Sequence, residues 1–200
     1  MTGARPGRVR VAVLISGAGS NMAALIDAGR QEGSPFEVVL VLSNRPDAGG
    51  LAVASGKEVA VAAVDHRPFG KDREAHERAV DAVLAQHGVE VVGLAGYMRL
   101  LTPWLVRRWQ GRMLNIHPSL LPKYPGLDTH ARALAAGDAE AGCSVHRVTE
   151  GVDEGPVLGQ ARVPVLADDT AETLAQRVLA AEHRLYPAVL ADVCRQMRSL

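Results

Sequence analysis

The first half of the chain alternates short apolar runs with longer amphipathic segments. A mostly apolar run is followed by a tight loop and then by a segment with helical periodicity, and this succession repeats. Repeated strand-helix-strand units are typical of a parallel sheet with right-handed crossovers. The predicted strands are Val9–Ile15, Phe36–Leu42, Val59–Val64, Val89–Leu94 and Met113–Ile116, and the predicted helices are Met22–Arg30, Asp47–Gly56, Lys71–His87 and Thr102–Trp109.

The pattern changes after Gly126. A predicted helix, Thr129–Ala136, precedes two strand-like runs, Cys143–Val148 and Val157–Val165. Only the loop Glu150–Pro156 separates these two runs, and a connection this short favours antiparallel pairing. The sequence therefore predicts an antiparallel strand pair near the C-terminus.

The last part of the chain has helical periodicity. Asp169 and Glu172 have the spacing of a capping pair, and the helix that they open is expected to end at Pro187, because proline lacks an amide hydrogen. A terminal amphipathic segment follows. Together the elements predict an α/β fold, an open, mostly parallel, Rossmann-like sheet with helices on both faces. Since no linker or repeat interrupts the pattern, residues 1–200 are expected to form a single domain.

Charge and composition limit the classes of partner. The 22 Lys and Arg balance the 22 Asp and Glu, so the formal charge of 0 disfavours nucleic acid and anionic membranes. A hydrophobic fraction of 48% is that of a globular protein. Cys143 and Cys194 form no spaced cluster, and no apolar run is long enough for a signal peptide or a membrane span. We therefore expect a cytoplasmic protein with reduced thiols.

A glycine-rich loop, Ser16–Asn21, joins the first predicted strand to the first predicted helix. Free backbone N–H groups and the helix dipole favour an anion at such a junction. Met22 stands where the dinucleotide fingerprint requires a third glycine, and the second strand ends in Ser43-Asn44-Arg45 rather than in an acidic residue. The loop therefore predicts a phosphate monoester site rather than an NAD site. A turn that serves packing alone is the alternative.

The segment Leu114–Pro122 carries the clearest chemistry. Asn115 and His117 are two positions apart at the end of a predicted strand, so their side chains are expected to leave the same face. An amide N–H can donate to a developing oxyanion while an imidazole handles a proton, which suits acyl transfer. The alternative is that each side chain is only a hydrogen-bonded partner within the fold.

An acidic loop with several glycines, Thr149–Pro156, is the expected source of a carboxylate beside His117. Such a carboxylate would favour the protonated ring and order a proton-carrying water. The sequence contains no HxxxH, HExxH or CxxC spacing, so no metal site is expected. It also lacks the GxSxG motif, which favours direct transfer between two bound substrates over covalent catalysis.

Four segments resemble the folate-dependent formyltransferases, and the likeness covers almost the whole chain. These segments are Val13–Asn21, Leu94–Leu101, Leu114–Gly126 and Asp153–Pro156. The string HPSLLPKYPG is highly specific to folate formyltransferases, although it does not separate one member from another. The resemblance implies that the formyl group of 10-formyltetrahydrofolate, the co-substrate, is transferred to the amine of glycinamide ribonucleotide in de novo purine biosynthesis. Tetrahydrofolate is the other expected product, and no metal or ATP is implied.

The resemblance also implies roles for individual residues. The formyl carbon would be attacked by the uncharged amine, with Asn115 and a protonated His117 stabilising the oxyanion and Asp153 keeping His117 cationic. By the same resemblance, the residues expected to bind the phosphate and ribonucleotide are Gly19, Ser20, Asn21 and Glu182. The residues expected on the folate side are Arg73, Met98, Arg99, Leu100, Leu101, Asn115, Thr149, Glu150, Gly151, Val152 and Asp153.

Three positions depart from the family pattern, and rival functions stay open. Glu154 stands where small residues are common, Asp128 replaces a frequent histidine, and Leu179 occupies the place of a usual polar contact. The rivals are another 10-formyltetrahydrofolate-dependent formyltransferase, a formyltetrahydrofolate hydrolase, and a noncatalytic nucleotide-binding module. The RNA-binding or regulatory domains of the enzymatic rivals are not expected here. The expected partners are the two small-molecule substrates, without nucleic acid or membrane, and the prediction allows a homodimer.

Overall fold

The computed structural model describes residues 7–199, so residues 1–6 and 200 of the predicted domain lie outside the described part. Within this range one sheet has the strand order β3-β2-β1-β4-β5-β6-β7. The strands are β1 Val9–Ile15, β2 Phe36–Ser43, β3 Ala60–Ala63, β4 Val91–Leu94, β5 Met113–His117, β6 Glu140–Arg147 and β7 Val157–Pro164. The α-helices are α1 Ser20–Arg30, α2 Gly49–Gly56, α3 Arg73–Gln86, α4 Pro103–Arg108, α5 Thr129–Ala135 and α6 Ala171–Arg198, and a short 3-10 helix spans Arg67–Phe69.

The direction of the strands confirms the predicted fold class. Strands β1 to β5 pair in parallel, and β6 runs antiparallel to β7, as the short connection between them predicts. Strand β6 is also antiparallel to its other neighbour, β5. The second pairing was not predicted, because α5 and two loops separate β5 from β6 and the length of that connection is compatible with either direction.

Helices cover both faces of the sheet, as predicted. In β1, Val11, Val13 and Ile15 belong to the core under α1 and α6, whereas Ala12 and Leu14 belong to the core under α3 and α4. All five side chains are fully buried. A strand buried on both faces has no polar side, which is why β1 appears in the sequence as an almost continuous apolar run.

The last helix does not end at Pro187, so that part of the prediction is wrong. Helix α6 continues through Pro187 to Arg198. Proline removes one backbone hydrogen bond and costs a helix interior about 3 kcal/mol. The apolar stripe nevertheless extends beyond it, since Val189, Leu190 and Val193 are buried in the same core as the first half of the helix. Packing against β6, β7 and α1 therefore outweighs the lost hydrogen bond.

The start of α6 also differs from the prediction. Thr170 is the N-cap, and its hydroxyl accepts a hydrogen bond from the Thr173 amide. Asp169 instead forms an ion pair with Arg177 at 2.6 Å and accepts a hydrogen bond from the Leu166 amide. The bond with Arg177 holds the pKa of the Asp169 carboxyl well below its ordinary value. Asp169 therefore fixes the loop before the helix and, by accepting the Thr173 hydroxyl at 2.8 Å, also contacts the first turn.

Tyr186 joins α6 to the centre of the sheet. Its side chain is fully buried, and its hydroxyl lies 3.2 Å from the carbonyl oxygens of both Leu94 and Leu114. Gly93 makes room for it, because a Cβ at this position would lie 2.9 Å from the hydroxyl oxygen. The hydroxyl thus ties the helix to the end of β4, where a loop expected to carry chemistry begins, and to Leu114 near the start of β5.

Replacing Tyr186 by Phe is expected to lower the free energy of unfolding by about 1–2 kcal/mol, because two buried carbonyls lose a shared donor. The midpoint of thermal unfolding should fall by roughly 2–4 °C for each kcal/mol. Denaturant titration followed by circular dichroism measures the change. Tyr124→Phe removes a hydroxyl whose hydrogen bond to Asp138 is only partly buried, and is expected to cost less. Equal stability of Tyr186→Phe and the parent protein would contradict this account.

Candidate active site

The glycine-rich loop after β1 forms an anion cradle at the start of α1. Gly19 has a left-handed backbone with φ of 74°, and a Cβ there would lie 2.7 Å from Met22 Cε. Helix α1 begins at Ser20, two residues before the predicted start. The first amides of a helix have no intrahelical acceptor, so those of Ser20, Asn21 and Met22 are available to an anion. This geometry suits an anion, and the phosphate site itself stays a prediction.

Asn21 and Glu182 meet beside this cradle although they are far apart in the sequence. The Asn21 amide nitrogen donates to a Glu182 carboxylate oxygen at 2.6 Å, and both side chains are buried. Burial raises the pKa of the Glu182 carboxyl above its ordinary value, and the hydrogen bond from Asn21 offsets only part of this effect. Within the described residues the Asn21 side-chain oxygen is buried without a hydrogen-bond partner. It is therefore ready to accept a hydrogen bond from a ligand hydroxyl or amine.

Asn115, His117 and Asp153 come together at the carboxyl end of β5, as the sequence predicts. Asp153 Oδ2 lies 3.3 Å from His117 Nδ1, and Asp153 Oδ1 lies 3.4 Å from Asn115 Nδ2. The carboxylate also accepts a hydrogen bond from the Gly126 amide at 2.9 Å. Burial acts to raise the pKa of Asp153, but the Gly126 amide and the His117 ring, which face the carboxylate, hold it below its ordinary value.

Asp153 has an unusual backbone conformation for a residue with a side chain. Its φ is 56°, in the left-handed region. Aspartate tolerates this region better than most residues, and such strain is often found at functional sites. The conformation lets the loop between β6 and β7 turn the carboxylate back toward β5. The role of the carboxylate in a reaction stays a prediction.

The ring of His117 is held by an acceptor at each nitrogen. Its Nδ1 faces Asp153, and its Nε2 donates to the carbonyl oxygen of Tyr124 at 2.9 Å. A ring that carries a proton on each nitrogen satisfies both acceptors at once. Only 5% of His117 is exposed, so this arrangement is shielded from bulk water.

The loop after His117 is fixed by hydrogen bonds to neighbouring elements. Tyr124 donates its hydroxyl to Asp138 at 2.8 Å, while its carbonyl accepts from His117. The Leu121 amide donates to the buried hydroxyl of Ser144 on β6 at 3.0 Å. The loop therefore supports the imidazole from the side opposite Asp153.

His146 belongs to the same cluster, and the sequence interpretation missed it. Its Nε2 lies 3.2 Å from Asn115 Nδ2 and 3.4 Å from Asp153 Oδ1. One signal was available, because Ser144 and His146 alternate with the core residues of a predicted strand. Two polar side chains on one face of a buried strand indicate a polar site on that face.

Four of the predicted folate-side residues, Met98 to Leu101, lie in the segment after β4, and Arg73 at the start of α3 is next to them. Met98 and Leu100 are 65% and 63% exposed, which is unusual for apolar side chains, and Leu101 is half-buried. Arg73 Nη1 lies 3.4 Å from the Leu100 carbonyl oxygen. The Nε of Arg99 is buried and has no hydrogen-bond partner among the described residues. Exposed apolar groups beside an unpartnered guanidinium suit a ligand that is aromatic at one end and anionic at the other.

The rest of the predicted folate side is the loop Thr149–Asp153. Glu150 forms an ion pair with Arg107 at 2.8 Å, and Val152 is 52% exposed. The loop lies close against β6, because a Cβ at Gly155 would lie only 1.7 Å from the Arg147 carbonyl oxygen. The far end of this loop is therefore anchored to the sheet, and the residues before Asp153 form its outer part: Thr149, Glu150, Gly151 and Val152.

A hydrogen-bond chain connects the cradle with the folate-side segment. The Ser16 hydroxyl accepts from the Met98 amide at 2.8 Å and donates to the Asn44 side-chain oxygen at 2.5 Å. A cleft of about 360 Å³ opens here and is also bordered by His66 and Arg99. The loops after β1, β2 and β4 are thus held in one relative position.

A second cleft, of about 400 Å³, lies behind the loop that follows His117. It is bordered by Pro118, Tyr124, His130 and Gln160, and it does not include Asn115, His117 or Asp153. Burial lowers the pKa of His130, and the nearby His117 adds to this effect. The side chains that border this cleft therefore belong to the loop that follows His117 and its neighbours, and the reacting groups lie outside it.

The three departures from the family pattern lie around these elements. Asp128 is the N-cap residue of α5 and has a φ of 58°. Glu154 packs over Gly151, and a Cβ at Gly151 would collide with the Glu154 carboxylate. Leu179 is half-buried on α6, three residues before Glu182.

Residues 7–199 lack both a metal-binding cluster and a membrane-spanning helix. These residues contain no group of three or more His, Cys, Asp or Glu side chains arranged to bind a metal ion. None of their helices combines the length and apolarity needed to cross a membrane.

Known proteins resemble this chain over most of its length. It is 46% identical over 182 residues to Escherichia coli phosphoribosylglycinamide formyltransferase, covering 91% of this chain and 85% of that protein. The crystal structure of phosphoribosylglycinamide formyltransferase from Brucella melitensis superposes with a TM-score of 0.90 at 54% identity, covering 94% of this chain and 96% of the other.

A second kind of relative is much longer. The chain is 48% identical over 186 residues to the trifunctional purine biosynthetic protein adenosine-3 of Drosophila melanogaster, covering 92% of this chain and 14% of that protein. Across the trifunctional relatives it spans 13% to 18% of their length. The model of the formyl transferase family matches residues 9–190. The chain belongs to the formyl transferase family.

Proposed function

We propose that this protein transfers the formyl group of 10-formyltetrahydrofolate to the amine of glycinamide ribonucleotide, a step of de novo purine biosynthesis. The observation that carries the proposal is the meeting of Asn115, His117 and Asp153 at the same sheet edge as the Gly19–Asn21 cradle. A relative that spans this chain nearly end to end is named phosphoribosylglycinamide formyltransferase. A cytoplasmic location and a homodimer stay predictions from the sequence.

The cradle and its buried neighbours are suited to the ribonucleotide. A phosphate monoester accepts hydrogen bonds from the free amides at the start of α1, where the helix dipole adds to its stabilisation. Glu182 and the unpartnered oxygen of Asn21 are acceptors for the ribose hydroxyls. Leu179 supplies no charge to this site, so in the proposal the phosphate depends mainly on backbone donors.

The reaction requires a neutral amine and a stabilised oxyanion. The amine nitrogen forms a bond to the formyl carbon, and the carbonyl electron pair moves to the oxygen. Asn115 and His117 donate hydrogen bonds to this oxygen. The Nδ1–H of His117 keeps its hydrogen bond to Asp153. The Nε2–H is therefore the donor that exchanges the Tyr124 carbonyl for the oxyanion.

Collapse of the adduct completes the transfer. The bond from carbon to N10 of the folate breaks, a proton passes from the attacking nitrogen to N10, and the carbonyl is restored. Asp153 orders a water for this proton relay and keeps His117 charged. Tetrahydrofolate and the formylated ribonucleotide leave, so atoms and charge balance without an added reagent.

The His117→Ala variant is expected to lower kcat by about 10²–10³-fold, the usual effect of losing one oxyanion donor. The KM for glycinamide ribonucleotide should change little, because the phosphate cradle is distant in the sequence and is built on another strand. Turnover is measured by the absorbance of the folate product. His87→Ala, at the end of α3, is the matched control and should keep full activity. Parental turnover in a folded His117→Ala protein would end this assignment.

The Glu182→Gln variant is expected to weaken ribonucleotide binding and to raise stability. A buried carboxyl with a raised pKa destabilises the folded state when it ionises, so the parent loses stability as the pH rises from the ordinary carboxyl pKa through the raised one. The neutral amide avoids this loss. The two proteins should unfold at similar temperatures near pH 4, and the variant should unfold at a higher temperature at neutral pH. A constant difference across this range would show that ionisation of Glu182 is not the cause.

The Arg99→Gln variant is expected to raise the KM for 10-formyltetrahydrofolate by about tenfold, the effect of losing one charge-assisted hydrogen bond. The KM for the ribonucleotide should stay within a factor of about two. Arg195→Gln, which removes an exposed guanidinium on α6, is the control. If both variants retain the parental KM for the folate, Arg99 does not contact it.

The assay with both substrates also separates the rival functions. Release of formate without a formylated ribonucleotide would indicate a hydrolase. Saturable folate binding without transfer to glycinamide ribonucleotide would favour another formyltransferase or a noncatalytic module. Formation of the formylated ribonucleotide supports the proposal.

A further inference from the structure

His146 faces Asn115 directly across the β5-β6 pair. The two residues are register partners, and only 2% of His146 is exposed. The pairing of β6 with β7 shifts register between Val145 and His146. Such irregularities turn individual side chains and are frequent next to active sites. The strand therefore presents the imidazole to a group in the reaction centre rather than to solvent.

The protonation of one ring nitrogen follows from its partner. His146 Nδ1 lies 3.0 Å from the carbonyl oxygen of Arg147. A carbonyl oxygen can only accept a hydrogen bond, so Nδ1 must carry a proton. In the neutral ring Nε2 then has a lone pair and is an acceptor.

Two groups lie within reach of that acceptor, and only one of them can donate. Asn115 Nδ2 is 3.2 Å from Nε2, and Asp153 Oδ1 is 3.4 Å away. An ionised carboxylate has no proton to give, whereas the amide has two. A proton on Nε2 would instead point at the NH₂ group of Asn115. It would also make the ring a second imidazolium beside the Asp153 carboxylate, which already accepts hydrogen bonds from His117 and the Gly126 amide.

We infer that His146 is a positioning residue for the proposed formyl transfer, in which its Nδ1–H tautomer accepts one N–H of Asn115 and fixes the orientation of that amide. The expected effect on kcat rests on the proposed function, whereas the hydrogen bond between His146 and Asn115 is independent of it. The second N–H of Asn115 is only loosely held, at 3.4 Å from Asp153 Oδ1. It is therefore free to turn to the oxyanion while the first N–H keeps the amide in place.

Without His146 the amide of Asn115 loses its shorter hydrogen bond. The long contact to Asp153 is then the remaining restraint on an amide whose two ends are nearly equal in size. A larger fraction of molecules would present the amide oxygen, which repels the oxyanion. The cost falls on kcat rather than on substrate binding, because the oxyanion exists only in the transition state.

The tautomer is measured directly by long-range ¹⁵N–¹H correlation NMR on the full chain labelled at histidine nitrogen, at pH 8. The expected result is an Nδ1–H ring with an unprotonated Nε2. The His146→Gln variant assigns the signals, and His87, a half-buried ring at the end of α3 whose Nδ1 lies 2.9 Å from the Val83 carbonyl oxygen, is the reference ring. An Nε2–H tautomer or a doubly protonated ring at His146 would overturn the inference.

Kinetics test the consequence for Asn115. His146→Leu, which has no acceptor, is expected to lower kcat by about tenfold while both KM values stay within about twofold, the effect of one neutral hydrogen bond. His146→Gln can place a side-chain oxygen near the former position of Nε2 and is expected to recover most of the loss. Equal impairment of the two variants would assign His146 a packing role only.

A double-mutant cycle separates action through Asn115 from a direct role. In an Asn115→Ala background, His146→Leu is expected to cause no further loss of kcat, because the group that it positions is already absent. Additive losses would contradict the inference. Unfolding temperatures confirm that each variant is folded, and the NMR measurement stands if a variant is not. A parent protein without formyl transfer would refute the proposed function, while the NMR result would still decide the hydrogen bond.

Discussion

The buried carboxylate of Asp153 is the interaction on which the rest of the site depends. A buried charge is costly unless it is paired and hydrogen-bonded, and this one faces His117, Asn115, His146 and the Gly126 amide. These partners come from β5, β6 and the loop after β5, so the carboxylate brings three segments to one point. It also faces Nδ1 of the His117 ring and the side-chain amide of Asn115, which links the packing of the site to its chemistry.

The sheet supplies the second constraint. Strands β1, β4 and β5 are parallel, so the loops that follow them leave the same edge. The Ser16 hydroxyl and the Tyr186 hydroxyl connect these ends to one another and to α6. A reaction between two bound substrates needs both to be held in one geometry, and this edge provides separate sites on a single rigid support.

Most of the fold could be predicted because it follows from local patterns. A strand buried on both faces is apolar throughout, as β1 is, and a loop as short as that between β6 and β7 permits only antiparallel pairing. The errors arose where distant contacts outweigh local preference. Pro187 breaks an isolated helix but not α6, whose apolar stripe is held by the sheet, and Thr170 rather than Asp169 is the N-cap, while Asp169 pairs with Arg177 farther along the helix.

The sequence by itself determined the residue types at the sheet edge: the glycine cradle at Gly19, and the amide and imidazole of Asn115 and His117 at alternate positions of one strand. The family resemblance singled out Asp153, whereas only the tertiary structure decided that its carboxylate lies 3.3 Å from His117 Nδ1, that Glu182 bonds Asn21 directly, and that His146 faces Asn115. Backbone periodicity fixes which side of an element a residue occupies, whereas contacts between distant elements depend on strand register and loop conformation, which no local pattern encodes.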